Sequence, residues 1–174
     1  WSPRLFWIAL FGACLAQIAT NASNDYFDHT SQADEMNKVP SPFNGGSRVI
    51  QVGLMTSGQV LATALVAILG AISIGLYLNR EISGEFFGNT PLLWIGILGT
   101  FLALGYTGDP IRLGYKGLGE IAIALGFGPV MGLGSHYVLT SPIHNTDLSN
   151  WNWFEAILIS FPIGMWVMLI VWIN

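Results

Sequence analysis

Charge is what this chain has least of. Of its 174 residues only 9% are Asp, Glu, Lys or Arg, against roughly 25% in soluble domains, while 52% are hydrophobic. With a mean hydropathy of +0.56, this composition excludes an ordinary water-soluble domain. Cysteine is nearly absent as well. Cys14 stands alone inside an apolar run, so no disulfide can close within the chain, and it reads as a small packing residue. Cations are scarce, with 6 Lys and Arg against 10 Asp and Glu, and a net charge of −4 argues against nucleic acid as a partner. The partner left is the lipid bilayer.

What the chain does have is long apolar runs, at 5–22, 61–78, 92–105, 121–139 and 154–173. Most approach the ~20 residues a helix needs to cross hydrocarbon. The third is short and is expected to draw on Thr90, Pro91, Tyr106 and Thr107 at its ends. The expected fold class is therefore all-α: a multi-pass transmembrane helical bundle forming a single membrane domain over residues 1–174. Because the chain begins at Trp1 and stops at Asn174 directly behind an apolar run, it reads as an internal fragment of a longer membrane protein. Lys38 and Arg48 lie in the first loop and Arg112 and Lys116 in the third, whereas the second loop has only Arg80 and the fourth no basic residue. Cytoplasmic loops carry the excess of Lys and Arg, so the first and third loops are expected on the cytoplasmic side.

The acids are not spread evenly. Asp25, Asp28 and Asp34 fall within ten residues of one another after the first apolar run, preceded by Asn24. If the helix continues through Asp28, then Asn24, Asp25 and Asp28 share one face at i, i+3 and i, i+4 spacing, where like charges repel. A bound cation turns that repulsion into coordination. Mg2+ in particular is held by one or two carboxylates together with substrate phosphates, so the stretch reads as a metal and diphosphate site. The plain alternative is a solvated acidic loop behind a membrane helix. A cation pathway through a transporter is a further alternative, although its carboxylates belong near mid-span rather than at one face.

Two other stretches bear on this reading. Residues 35–50 are rich in Pro, Gly, Ser and Asn and resemble a lid, with Gly45, Gly46 and Ser47 able to bring backbone N–H groups to an anion and Arg48 behind them. The third loop holds Tyr106, Asp109, Arg112, Tyr115, Lys116 and Glu120 among glycines. On a helix, Arg112 and Lys116 would share one face and could hold one diphosphate; the plain alternative is that they only set topology. His136 and His144 fall at the other membrane side and read as interfacial. Asn79, Arg80 and Glu81 read as the start of a short outer loop, and Pro129 predicts a kink in the fourth span.

The runs Asn24-Asp25-Tyr26-Phe27-Asp28 with Asp34, Gly45-Gly46-Ser47-Arg48-Val49-Ile50-Gln51, and Tyr106-Thr107 through Gly114-Tyr115-Lys116-Gly117-Leu118-Gly119-Glu120 resemble the UbiA superfamily of intramembrane aromatic prenyltransferases. Within it they are most similar to the 1,4-dihydroxy-2-naphthoate polyprenyltransferase branch. That resemblance implies a roughly nine-helix bundle of which this chain holds about five spans, lacking a second Asp-rich motif and the later helices, and inactive alone. It implies an Mg2+ cofactor and transfer of a polyprenyl group from its diphosphate to an aromatic acceptor in menaquinone or phylloquinone biosynthesis. By the same resemblance Asp25 and Asp28 are catalytic, and Asn24, Asp25, Asp28 and Asp34 hold the metal. Arg48, Arg112 and Lys116 bind diphosphate, and Tyr26, Tyr106 and Tyr115 face the prenyl group or the acceptor. The expected setting is a bacterial inner membrane, with the acidic stretch toward the cytoplasm.

Overall fold

The computed structural model describes residues 2–32 and 47–173, and all regular structure among them is helical. Helix α1 spans Pro3–Thr30. Ser2 caps it by accepting from the Leu5 backbone N–H, and Pro3 occupies a first-turn position where a missing N–H costs nothing. No breaker stands between Ala22 and Thr30, so the helix runs on beyond its apolar part. Asn24, Asp25 and Asp28 are therefore helical, as the spacing argument requires.

Helix α2, Ser57–Ser83, opens with a capping box: the Thr56 side chain accepts from Gln59 N–H while the Gln59 side chain accepts from Thr56 N–H. It closes at Gly84, whose φ of 84° is the left-handed geometry that glycine adopts without strain. The expected outer loop is thus shorter than the sequence implied. Asn79, Arg80 and Glu81 belong to the last turns of α2; Asn79 is only 1% exposed, and Glu81 pairs with Arg4 of α1 at 3.1 Å.

Helix α3 is Pro91–Gly105, capped by Thr90. Its 15 residues cover about 22 Å at 1.5 Å per residue, less than a bilayer core, and it takes up Pro91 but neither Tyr106 nor Thr107. A single 3-10 turn, Leu113–Lys116, precedes helix α4, Gly119–His144. The expected kink is a π-helical turn at Gly126–Val130, which contains Pro129 and absorbs the N–H that proline lacks. Helix α5 is Trp153–Ile173. Four of these helices are long and apolar enough to cross a membrane, and α3 is the short fifth.

The α1 and α2 helices run antiparallel in close contact. Leu5 meets Leu78 at one end, Ala19 meets Ala67 and Ile68 near the other, and glycines at 12 and 70 let Ile74 and Leu15 approach. Such small-residue contacts are how helices associate where lipid removes the hydrophobic drive. The remaining large apolar side chains turn outward: Trp7, Phe11, Val66, Trp94, Ile159 and Trp166 are all more than half exposed. A soluble protein would not leave such a surface uncovered; a bilayer covers it. The chain folds as a segment of an integral membrane protein, its loops alternating between two ends.

Candidate functional site

A cavity of about 1170 Å³ runs along α1 between the helices, and its lining changes character with depth. Ala9, Gly12, Ala13 and Ala16 supply a small apolar wall, Gln17, Thr20 and Asn21 a polar collar, and Asn24, Asp25 and Asp28 an acidic mouth. From Ala9 to Asp28 this stripe covers about 28 Å of helix at 1.5 Å per residue, most of a membrane's apolar thickness. Its far side is apolar, with Leu92, Ile95, Leu102, Phe127, Val130 and Val167 among the residues. The collar is the part that motif reading missed. Its signal was present in the sequence, since small and amide residues recur at three- and four-residue steps all the way to Asn24.

At the mouth, neutral donors reach both carboxylates. Asn24 Nδ2 donates to Asp28 Oδ2 at 2.7 Å, and the Tyr115 hydroxyl, from the loop between α3 and α4, donates to Asp28 Oδ1. Tyr115 also lies 3.1 Å from Ser31 Oγ. Asp25 accepts from Ser47 Oγ, which brings the chain beyond the undescribed segment onto the acids. Burial, and then the bond to Asp28, raise the Tyr115 phenol above its ordinary pKa; burial, followed by Glu120 and Asp28, does the same for Tyr106. Both stay protonated near neutral pH and can donate.

The remaining sequence candidates fall around this mouth in different ways. Tyr106 borders the cavity, with the Gly114 and Gly119 backbones pressed against its ring. Tyr26 packs edge-on against Phe27, with centroids 5.3 Å apart, and does not line the cavity. Asp34 lies outside the described residues, as do Lys38, Gly45 and Gly46. Arg48 is half-buried beside Ser47, and its Nη1 is buried with no hydrogen-bond partner among the described residues.

Arg112 and Lys116 do not share a helical face. Arg112 sits before the 3-10 turn at φ 49°, its Nη2 donating to Asp109 Oδ2 at 2.7 Å and its Nε 2.7 Å from Oδ1. Lys116 Nζ donates to the Pro110 carbonyl at 3.2 Å. At the opposite end, His144 is buried rather than interfacial: it is 2% exposed, bonded to the Tyr137 carbonyl, and its ring packs on Tyr137.

Among the described residues, no three of His, Cys, Asp and Glu converge as a metal cage. The donor set at the mouth is instead two carboxylates and an amide on consecutive turns, all oxygen ligands opening into a cavity. That set fits Mg2+, which takes few protein carboxylates and fills its shell from water and substrate phosphate.

Comparison with known proteins places the chain among relatives. Over 163 residues the chain is 30% identical to 1,4-dihydroxy-2-naphthoate octaprenyltransferase of Bacillus subtilis (strain 168), covering 94% of this chain and 46% of that protein. It is 28% identical over 136 residues to the protein of the same description in Escherichia coli (strain K12), covering 78% of this chain and 42% of that one. To 2-carboxy-1,4-naphthoquinone phytyltransferase of Synechocystis sp. (strain PCC 6803) it is 32% identical over 137 residues, 79% of this chain and 40% of that one. The chain thus spans less than half the length of these curated relatives. No solved structure matches it. Residues 1–174 match the UbiA prenyltransferase family throughout, and the chain belongs to that family.

Proposed function

We propose that the full protein transfers a polyprenyl group from its diphosphate to 1,4-dihydroxy-2-naphthoate, in menaquinone or phylloquinone biosynthesis. The observation that carries this reading is the pairing of Asp25 and Asp28 at the mouth of a long apolar cavity. A substrate with a charged head and a hydrocarbon tail needs both ends at once. The names of the relatives supply the acceptor class.

The residues fit the chemistry. Breaking the allylic C–O bond leaves its electron pair on the diphosphate and a cation on the prenyl carbon. The naphthoate ring carbon then attacks, and in this branch the new bond is accompanied by loss of the carboxylate as carbon dioxide. Mg2+ bound by Asp25 and Asp28, with Asn24 beside them and Asp34 a further ligand on the family resemblance alone, would offset the negative charge of the departing diphosphate. Arg48 is the cation best placed to help, because it follows Ser47 of the cavity mouth in the chain and its buried Nη1 has no hydrogen-bond partner among the described residues. Arg112 and Lys116 stand on the same end and are proposed as outer contacts to the same anion. The apolar wall excludes water that would otherwise quench the prenyl cation, and the Tyr106 ring borders the path it takes. The mouth is proposed to face the cytoplasm of a bacterial inner membrane, from the distribution of Lys and Arg.

The test uses the full-length protein in bilayers with a polyprenyl diphosphate, Mg2+ and either 1,4-dihydroxy-2-naphthoate or 4-hydroxybenzoate. Prenylated naphthoate is the expected product. A product formed only on the benzoate moves the protein to another acceptor class, and no product on either acceptor, with cation flux across the bilayer, makes it a transporter.

A further inference from the structure

The loop between α3 and α4 touches the acidic mouth through one side chain whose chemistry is specific. The Tyr115 hydroxyl reaches Asp28 Oδ1 while Asn24 Nδ2, from the helix itself, reaches Oδ2 at 2.7 Å. Donors from two elements thus hold the two oxygens of one carboxylate, and rotation of that group requires both bonds to break. Both donors are neutral. A Lys or Arg in either place would compete with a cation for the carboxylate's charge, whereas a phenol and an amide fix its direction without bringing a charge of their own.

We propose that Tyr115 is a positioning residue for Asp28: it orients the carboxylate from the α3–α4 loop so that a divalent cation meets it preformed. This rests on the reading of Asp28 as a metal ligand given above. It assigns Tyr115 to the carboxylate rather than to the prenyl group or acceptor, in keeping with its position off the cavity lining. The hydroxyl also lies 3.1 Å from Ser31 Oγ, a contact separate from the bond to Asp28. Supporting partners of this kind change metal affinity by roughly 10- to 100-fold when removed.

The experiment is Mn2+ binding to the full-length protein in nanodiscs, followed by electron paramagnetic resonance without any substrate, for wild type, Tyr115→Phe and Ser31→Ala. The expected result is a roughly tenfold weaker Mn2+ affinity for Tyr115→Phe at an unchanged melting temperature, with Ser31→Ala within about twofold of wild type. In turnover, the Mg2+ concentration for half-maximal rate should rise by the same factor, and kcat at saturating Mg2+ should recover. Unchanged Mn2+ affinity in Tyr115→Phe overturns the proposal, as does an equal loss in Ser31→Ala, which would make the contact a loop fastener. If Tyr115→Phe fails to insert, Tyr115→Gln, which retains a donor, is measured instead. Affinity within about threefold of wild type supports the proposal, and a tenfold loss overturns it. Because Mn2+ binding needs no substrate, the result stands apart from the acceptor assignment: a wild type that binds Mn2+ but transfers nothing defeats the prenyl-transfer reading alone.

Discussion

Gly128 of α4 and Gly164 of α5 meet backbone to backbone, so closely that a β-carbon on Gly164 would lie 2.8 Å from Gly128 Cα and 2.1 Å from the Ala124 carbonyl oxygen. Neither obstacle is a flexible side-chain tip that could swing aside. The contact fixes α5 against the π-helical turn and so helps form the wall of the cavity.

Gly164→Ala is therefore expected to destabilise the full-length protein by about 1–3 kcal/mol through overpacking. Gly58→Ala, with only the Thr56 hydroxyl oxygen at 4.0 Å, should be neutral or slightly stabilising. Thermal melting in detergent compares them, and equal melting temperatures would contradict the packing described.

Asn79 predicts a loss at the other end of the bundle. Its Nδ2 faces the carbonyls of Gly88 at 2.9 Å and Phe86 at 3.1 Å, and its Oδ1 accepts from Thr90, the cap of α3. Asn79→Leu leaves buried polar groups unpaired and should cost about 1–3 kcal/mol. Melting should fall while Mn2+ affinity at low temperature stays at the wild-type value, since the acids lie at the opposite end; a parallel loss of both would mean that the two ends are coupled.

Asp28→Asn should abolish prenyl transfer by the full-length protein, with the fold intact. The amide keeps the shape but lacks the charge, and its nitrogen cannot ligate a hard cation. An acid that only solvates a helix end would tolerate the change within ~0.5 kcal/mol. Wild-type rates at low Mg2+ would remove Asp28 from the metal site.

Neutralising Arg48, Arg112 or Lys116 is expected to raise KM for the prenyl diphosphate or lower kcat, at about 1.5–3 kcal/mol per lost charged hydrogen bond. Arg48→Gln should be the most costly, because Arg112 is already engaged with Asp109. That ion pair is partly exposed and should add less than ~1 kcal/mol to stability, so a kinetic change without a melting change is the expected signature. Unchanged kinetics in all three variants would reduce these cations to topology determinants.

Much of the architecture was legible because membrane helices announce themselves by length and apolarity, and α1, α2, α4 and α5 fall on runs marked from composition alone. The facing of Asn24, Asp25 and Asp28 followed from helical spacing once no breaker stood after Ala22. What composition hid was tertiary. Nothing local says that Asn79 is buried, since its partners are carbonyls of the next loop; a polar triplet after an apolar run looks the same whether it is solvated or capped. The spacing of Arg112 and Lys116 misled for a different reason, because Asp109 draws the guanidinium back and the chain turns left-handed at Arg112 before any α-helix forms. Tyr115 could be placed in the right loop, but its partner, 87 positions away, needed the fold.

The π-helical turn at Gly126–Val130 acts as an offset coupling between two half-helices. One residue more than an α-turn requires is taken up there, so the segment from Met131 onward is phased about 100° away from where an unbroken helix would carry it. Each half is thereby free to address its own neighbours: Gly128 lies on Gly164, while past the turn Met131 and Gly134 still look into the cavity. Deleting a single residue within the turn would leave composition and hydropathy almost untouched, yet it would rotate the whole distal half of α4 and turn Met131 and Gly134 away from the cavity. In this helix the count of residues carries information that their identities do not.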